Sequence, residues 1–201
     1  MKFIALASAA TLALASPAFA KIATGASVAD MTVMDSTGTT HNLSDFAGKR
    51  VVLEWTNEGC PYVEKHYSTD NMQTLQADAA EDGIVWLSVI SSAPGKQGFK
   101  TGAEVAEWKT ERDVAATAVI LDQEGEMGQA FAARTTPHMY IIDEDQTLVY
   151  QGAIDDNSSS NPATVEGATN YVAQALAELD AGQSVSVAET QPYGCSVKYA
   201  S

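Results

Sequence analysis

The residue whose type and position point most directly to chemistry is Cys60. It comes five positions after the end of the apolar run Val51–Trp55 and directly before Pro61. Such a run predicts a buried strand, and proline is favoured at the first position of a helix. A thiol placed there lies at a helix N-terminus, where unpaired backbone N–H groups and the helix dipole favour the thiolate. Because the thiolate is the reactive form, Cys60 is the candidate nucleophile.

The first twenty residues carry the features of a signal peptide. Lys2 supplies a positive start, Phe3–Leu14 is an apolar run too short to span a bilayer, and Ala18–Ala20 gives a small-x-small cleavage pattern. We therefore expect a signal peptide over residues 1–20 and one mature domain over residues 21–201. The style of the signal favours export to a bacterial periplasm.

Cys195 is the second and last cysteine, and it follows Gly194 in the tail Gln183–Ser201. In an exported protein an even pair permits a disulfide. The bridge could be a structural staple or a redox-active pair, in which Cys195 resolves a mixed disulfide or sulfenic acid on Cys60. A domain of this size hardly needs a staple, which favours the redox pair. The resolving role requires a flexible tail that reaches Cys60.

The charge balance excludes some partners. Removing Lys2 with the signal peptide leaves ten basic and twenty-six acidic side chains, a net charge of −16. Such a surface argues against nucleic acid and against anionic membranes as partners. Since no later stretch reaches transmembrane length, we expect no membrane insertion after cleavage.

The order of predicted elements gives the fold class. Apolar periodicity and turn residues predict a β-hairpin followed by alternating strands and helices, with a second hairpin and a final helix. Asp70 and Gln73 are expected to form a capping box that restarts the first helix. The order predicts an α/β fold with a mostly parallel sheet and antiparallel late strands. The predicted segments are residues 31–43, 51–56, 61–79, 84–90, 103–111, 118–121, 125–133, 138–151 and 168–179.

Two local patterns resemble the thioredoxin-like superfamily: the Cys60–Val63 turn after a buried strand, and Thr136-Pro137 before a strand hairpin. The longer strings 57–67, 152–156 and 194–199 are similar to those of the exported, peroxiredoxin-like redoxins, over about residues 25–199. The resemblance implies a central mixed sheet flanked by helices, with an N-terminal β-hairpin extension. It also implies that Pro137 is cis and faces the active cysteine.

The resemblance implies an activity and its partners. Thiol–disulfide exchange is the first expectation, with a thiol or disulfide protein or a small thiol as substrate and an external reductant. The alternative activity is antioxidant reduction of a peroxide. Pro61, Thr136 and Pro137 are expected to contact the substrate, with the Thr136 main chain pairing with an extended strand. No cofactor is expected.

Two departures from the family pattern keep further alternatives open. Val63 stands where a Cys-x-x-Cys motif has its second cysteine, and Thr56 lies four rather than three residues before Cys60. The chain could therefore be an oxidoreductase, a thiol peroxidase, or a non-catalytic binding module with a structural Cys60–Cys195 bridge.

The remaining charged residues near these motifs receive weaker assignments. Lys65 and His66 are expected to be solvated helix residues, and Arg134 is a candidate for assisting a peroxide or a thiolate. His41 and His138 are expected to be hydrogen-bonded strand residues. Cys60, His66 and His138 lack the spacing of a metal site, so we predict none.

Overall fold

A computed structural model describes residues 21–200 of the chain. The predicted signal peptide lies outside the described residues. The described part contains a five-stranded sheet in the order β5-β4-β3-β7-β8, together with two small two-stranded sheets, β1-β2 and β6-β9. The strands are β1 Thr32–Met34, β2 Thr40–Asn42, β3 Val51–Trp55, β4 Val85–Ile90, β5 Ala118–Leu121, β6 Thr135–Thr136, β7 His138–Ile142, β8 Leu148–Gly152 and β9 Cys195–Ser196.

The central sheet is mixed, as the order of elements predicts. β3, β4 and β5 run parallel, whereas β7 and β8 are antiparallel additions on the other side of β3. Every residue of β3, β4 and β7 is buried, because helices and loops cover both faces of the sheet. The N-terminal hairpin β1-β2 is also present. The sheet therefore confirms the expected thioredoxin-like architecture.

Five α-helices connect and flank these strands. They are α1 Pro61–Tyr67, α2 Asn71–Glu81, α3 Gly102–Glu111, α4 Glu126–Ala130 and α5 Tyr171–Asp180. Two short 3-10 turns, Leu43–Phe46 and Pro162–Thr164, complete the described helical structure. One apolar core lies between the sheet and α1, α2, α3 and α5, and it includes Cys60. A second core, which includes Trp55 and Phe131, fills the opposite face under α4 and the hairpin.

Two local predictions are wrong. Asp70 has a φ of 57° and makes no side-chain capping bond, because it forms the left-handed turn between α1 and α2. The Gln73 side chain instead donates to the carbonyl groups of Tyr67 and Arg112. Helix α4 is shorter than predicted, since the chain turns at Ala132, whose φ is 51°.

Within residues 21–200, none of the helices combines the length and the apolar character needed to cross a membrane.

His138 makes the stability of the fold depend on pH. It is 3% exposed on β7, its Nδ1 lies 3.0 Å from the Tyr140 hydroxyl, and burial lowers its pKa to about 3. In the unfolded chain a histidine has a pKa of about 6.5, so acid protonates the unfolded state first. Stability is therefore retained above pH ~6.5 and lost as the pH falls towards 3.

We expect the His138→Gln variant to lose this component of the pH dependence. Between pH 6 and 4, urea unfolding of the native protein should show a steeper loss of free energy than the variant, by up to about 1.4 kcal/mol per pH unit. Equal slopes for the two proteins would contradict the assignment.

Candidate active site

Cys60 occupies the N-cap position of α1, and Pro61 is the first helical residue. The Cys60 backbone N–H donates to the Asn57 carbonyl over 2.9 Å, and the Cys60 carbonyl accepts from the Glu64 N–H over 2.9 Å. The strand–loop–helix arrangement predicted around this cysteine is therefore present. The Cys60 side chain has no exposed surface.

A neighbouring loop braces the residues between β3 and Cys60. The Asn57 side chain accepts from the Gly59 N–H over 3.0 Å and donates to Gln97 Oε1 over 3.1 Å. Gln97 Nε2 donates to the Gly59 carbonyl over 2.7 Å. A Cβ atom on Gly59 would lie 2.5 Å from that nitrogen, so a larger residue here would displace the Gln97 amide from the brace. The hydrogen bonds of Asn57 and Gln97 thus hold the loop that positions Cys60.

The Cys60 sulfur has two close partners. Its thiol donates to the Thr136 carbonyl over 3.1 Å, and its Sγ lies 2.6 Å from the Sγ of Cys195. At this separation, a small movement suffices to join the two sulfurs in a disulfide. The fold therefore brings together the two cysteines that the sequence separates by 135 positions.

Cys195 reaches Cys60 because the tail forms a strand beside Thr136. β9 pairs antiparallel with β6, and Thr136 lies opposite Cys195. The preceding Gly194 has a φ of 138°, and a Cβ atom there would lie 2.1 Å from the Thr136 carbonyl oxygen. A glycine is therefore required immediately before the cysteine. Nothing in the local sequence pattern indicates these two-residue strands.

The ionisation of Cys195 follows from this position. Burial raises its pKa to about 12, and the hydrogen bond and negative charge of Cys60 act in the same direction. Cys195 is consequently a protonated thiol at neutral pH in the closed arrangement.

The residues expected to contact substrate lie around the two sulfurs. The Thr136–Pro137 bond is cis, as the resemblance implies. Thr136 is 2% exposed and Pro137 is buried, whereas Pro61 is exposed at the start of α1. The edge of β6 that could pair with a substrate strand is covered by Cys195 and Ser196.

In the closed structure the tail is hydrogen-bonded to the body of the protein on both sides of Cys195. The Gln151 N–H donates to the Ala188 carbonyl over 3.0 Å, which attaches the start of the tail to β8. Beyond Cys195, the Val197 N–H donates to the Arg134 carbonyl, and the Lys198 carbonyl accepts from the Ala93 N–H. Residues 188–199 are thereby bound along the body of the protein, because their backbone groups find partners there.

Lys65 and His66 are buried rather than solvated, so the expectation of solvated helix residues is wrong. Neither side chain has exposed surface, because both face the buried carboxylate of Asp155 and the ring of Tyr193. The Lys65 Nζ lies 3.0 Å from Asp155 Oδ2. Burial lowers the pKa of His66 to about 4, so the imidazole is neutral near pH 7. Asp155 and Tyr193 are site residues that the sequence analysis did not single out.

Glu54 is another buried ionisable residue for which the sequence predicted no role. Its carboxylate accepts hydrogen bonds from Tyr67, Gln76, Trp86 and Ser88, and burial raises its pKa above the ordinary value. The signal that could have found it is an acidic residue within the apolar run of β3. Its donors Tyr67 and Trp86 belong to the core that also contains Cys60.

Arg134, His41 and His138 do not form part of the sulfur site. Arg134 is exposed, and its carbonyl group holds the tail. His41 and His138 are hydrogen-bonded strand residues, as predicted. Among residues 21–200, no group of three or more histidine, cysteine or acidic side chains could hold a metal ion.

The model of the Redoxin family matches residues 17–170, which is more than half of the chain. The chain belongs to the redoxin family. The tail that carries Cys195 lies beyond the matched region of this redoxin. A comparison with curated proteins gives no match.

Solved structures confirm the thioredoxin-like fold of this redoxin. An uncharacterized conserved protein from Geobacillus kaustophilus has 22% identity and a TM-score of 0.76, covering 89% of this chain and 93% of its own. A hypothetical protein from Sinorhizobium meliloti 1021 has 19% identity and a TM-score of 0.75, covering 90% and 97%. A putative thiol:disulfide interchange protein DsbE from Chlorobium tepidum has 20% identity and a TM-score of 0.51, covering 65% and 85%.

The dependence of the Cys195 pKa on Cys60 can be measured. In Cys60→Ala, the hydrogen bond and the negative charge of the partner are gone, so the pKa of Cys195 should fall. The pH profile of its alkylation by iodoacetamide should shift to lower pH than in the reduced native protein. Cys195 in the urea-unfolded chain provides the unperturbed reference. An unchanged profile would show that Cys60 does not influence this thiol.

Proposed function

We propose that this redoxin is a thiol–disulfide oxidoreductase whose redox pair is Cys60 and Cys195. The observation that carries the proposal is the 2.6 Å separation of their sulfurs at the start of α1. Cys195 supplies the second thiol that is missing at position 63. Membership of the redoxin family supports the same class of chemistry.

The proposed reaction transfers two electrons. The Cys60 thiolate attacks a substrate disulfide, forming a mixed disulfide and releasing one substrate thiolate, which takes up a proton. Cys195 then loses its proton and attacks the Cys60 sulfur, which releases the second substrate thiol. The products are the Cys60–Cys195 disulfide and a fully reduced substrate. An external dithiol reverses the oxidation of the protein.

The substrate must displace part of the tail. Cys60 has no exposed surface, and Cys195 and Ser196 cover the edge of β6. When they leave, the backbone of Thr136 becomes free to pair with an extended polypeptide beside the Cys60 sulfur. This arrangement favours a polypeptide disulfide as substrate, because a strand edge binds main chain.

The closed tail argues against a purely structural bridge. Backbone hydrogen bonds and the contacts of Tyr193 hold the tail in place independently of any bond between the sulfurs. A disulfide would therefore add little to an attachment that already exists.

Export to a bacterial periplasm, after cleavage before Lys21, is part of the proposal and rests on the pattern of residues 1–20.

A single-turnover experiment tests the proposal. The reduced protein is mixed with a glutathionylated peptide, quenched with acid and analysed by intact mass. Native protein should end as an internal disulfide, whereas Cys195→Ser should accumulate a mixed disulfide on Cys60. Cys60→Ser should react at least about 100-fold more slowly, because the positioned nucleophile is lost.

Three results would contradict the proposal. The first is reaction of Cys60→Ser at the native rate, and the second is a native Cys60–Cys195 bridge that dithiols cannot reopen, as expected of a staple. In a parallel reaction with hydrogen peroxide, much faster oxidation than by the disulfide would favour the thiol peroxidase.

A further inference from the structure

A cluster of polar side chains lies beneath the tail, at the point where Tyr193 precedes Cys195 by two residues. It consists of Lys65 and His66 from α1, Asp155 after β8, and Tyr193 of the tail, and is called the Lys65 cluster here. Lys65, His66 and Asp155 are each at least 97% buried. The body of the protein contributes the charged groups, and the tail contributes a single phenol.

The hydrogen bonds of the Lys65 ammonium are complete only when the tail is closed. Its Nζ lies 3.0 Å from Asp155 Oδ2, 2.8 Å from the Asn157 carbonyl and 3.3 Å from the Tyr193 hydroxyl. A lysine ammonium has three N–H donors, and these three acceptors use all of them. The ammonium also lies 5.4 Å from the centre of the Tyr193 ring.

The Tyr193 hydroxyl is likewise fully used. It donates to Asp155 Oδ1 and lies 3.3 Å from His66 Nε2. Since the Asn71 amide donates to His66 Nδ1, the neutral imidazole carries its proton on Nε2 and donates it to Tyr193. Burial and the Asp155 carboxylate raise the pKa of Tyr193 above its ordinary value, so the phenol stays protonated.

Tyr193 lies between the fixed start of the tail and the reactive cysteine. Thr190 is bound to the body, with its Oγ1 2.8 Å from both the Tyr150 hydroxyl and the Ala153 nitrogen. Tyr193 follows the buried Pro192 and places its hydroxyl in the Lys65 cluster, and Cys195 comes directly after Gly194. Releasing the phenol removes the side-chain attachment nearest to Cys195 on its N-terminal side.

We propose that Tyr193 is a positioning residue that latches the tail over Cys60, shielding that thiol in the closed protein and returning Cys195 to it during the reaction. The inference rests on the proposed function for the second of these roles. The first role requires only the closed structure. Losing the phenol would leave one N–H of the buried Lys65 ammonium without an acceptor, and would leave Asp155 Oδ1 with only the Asn157 N–H, over 3.0 Å, which makes the closed state selective for tyrosine.

The test compares Tyr193→Phe with Tyr199→Phe in otherwise native, reduced protein. Tyr199 is a matched control, because its hydroxyl also ties the tail to the body but donates to the neutral carbonyl of Ala133, over 2.8 Å. N-ethylmaleimide labelling of Cys60, followed by peptide mass, reports tail opening. We expect Tyr193→Phe to accelerate labelling about ten- to a hundredfold, the range for hydrogen bonds to charged groups, and Tyr199→Phe about threefold.

A second measurement separates the latch from a loss of global stability. The latch predicts that Tyr193→Phe also slows the attack of Cys195 on a Cys60–glutathione mixed disulfide by a similar factor. Urea unfolding gives the labelling rate that global unfolding alone would produce. Labelling no faster than that rate, labelling equal to that of Tyr199→Phe, or unchanged resolution would overturn the inference.

The two proposals can fail separately. If native protein forms no internal disulfide with the glutathionylated peptide, the proposed function fails, while the labelling comparison still decides whether Tyr193 closes the tail. If native protein turns over normally and Tyr193→Phe behaves like the native protein in both measurements, the latch alone is refuted.

Discussion

The carbonyl group of Thr136 is the point on which the arrangement of the site depends. It accepts the Cys60 thiol, and the two-residue strand to which it belongs pairs with Cys195. That pairing places Cys195 opposite Thr136 and so brings the two sulfurs together. The requirement for glycine at position 194 follows from the same close approach.

A buried ion pair is a costly way to hold a surface tail. Removing Lys65 and Asp155 from water carries a desolvation penalty that their mutual attraction repays only if the surrounding hydrogen bonds are complete. In the closed protein they are complete, and the tail itself completes them through Tyr193. The buried pair needs complete hydrogen bonds, and this need makes it selective for one position of the tail. An apolar contact would tolerate many tail positions.

Much of the fold could be predicted because it depends on local patterns. The buried strands are continuous apolar runs, and Cys60-Pro61 marks a helix start by type and position. The misplaced capping box had a local pattern too, but the left-handed conformation of Asp70 overrode it. Boundaries such as the end of α4 depend on a single turn residue, which periodicity does not report.

The details of the site were less predictable because they depend on partners distant in sequence. Lys65 pairs with an aspartate 90 positions later, and a helix residue with a remote partner looks like a solvated one. The pairing of Thr136 with Cys195 involves strands of two residues, too short for any alternation to show. The sequence identified both cysteines as a possible pair, and their apposition required the tertiary structure.

The measurement that tests the account most directly is the reduction potential of the Cys60–Cys195 pair. The protein is equilibrated in a series of glutathione buffers, alkylated, and its oxidised fraction read by intact mass. We predict a single two-electron transition at about −120 to −270 mV, the range of working thiol oxidoreductases. A potential below about −300 mV, typical of structural disulfides, or no bridge at all, would contradict the account.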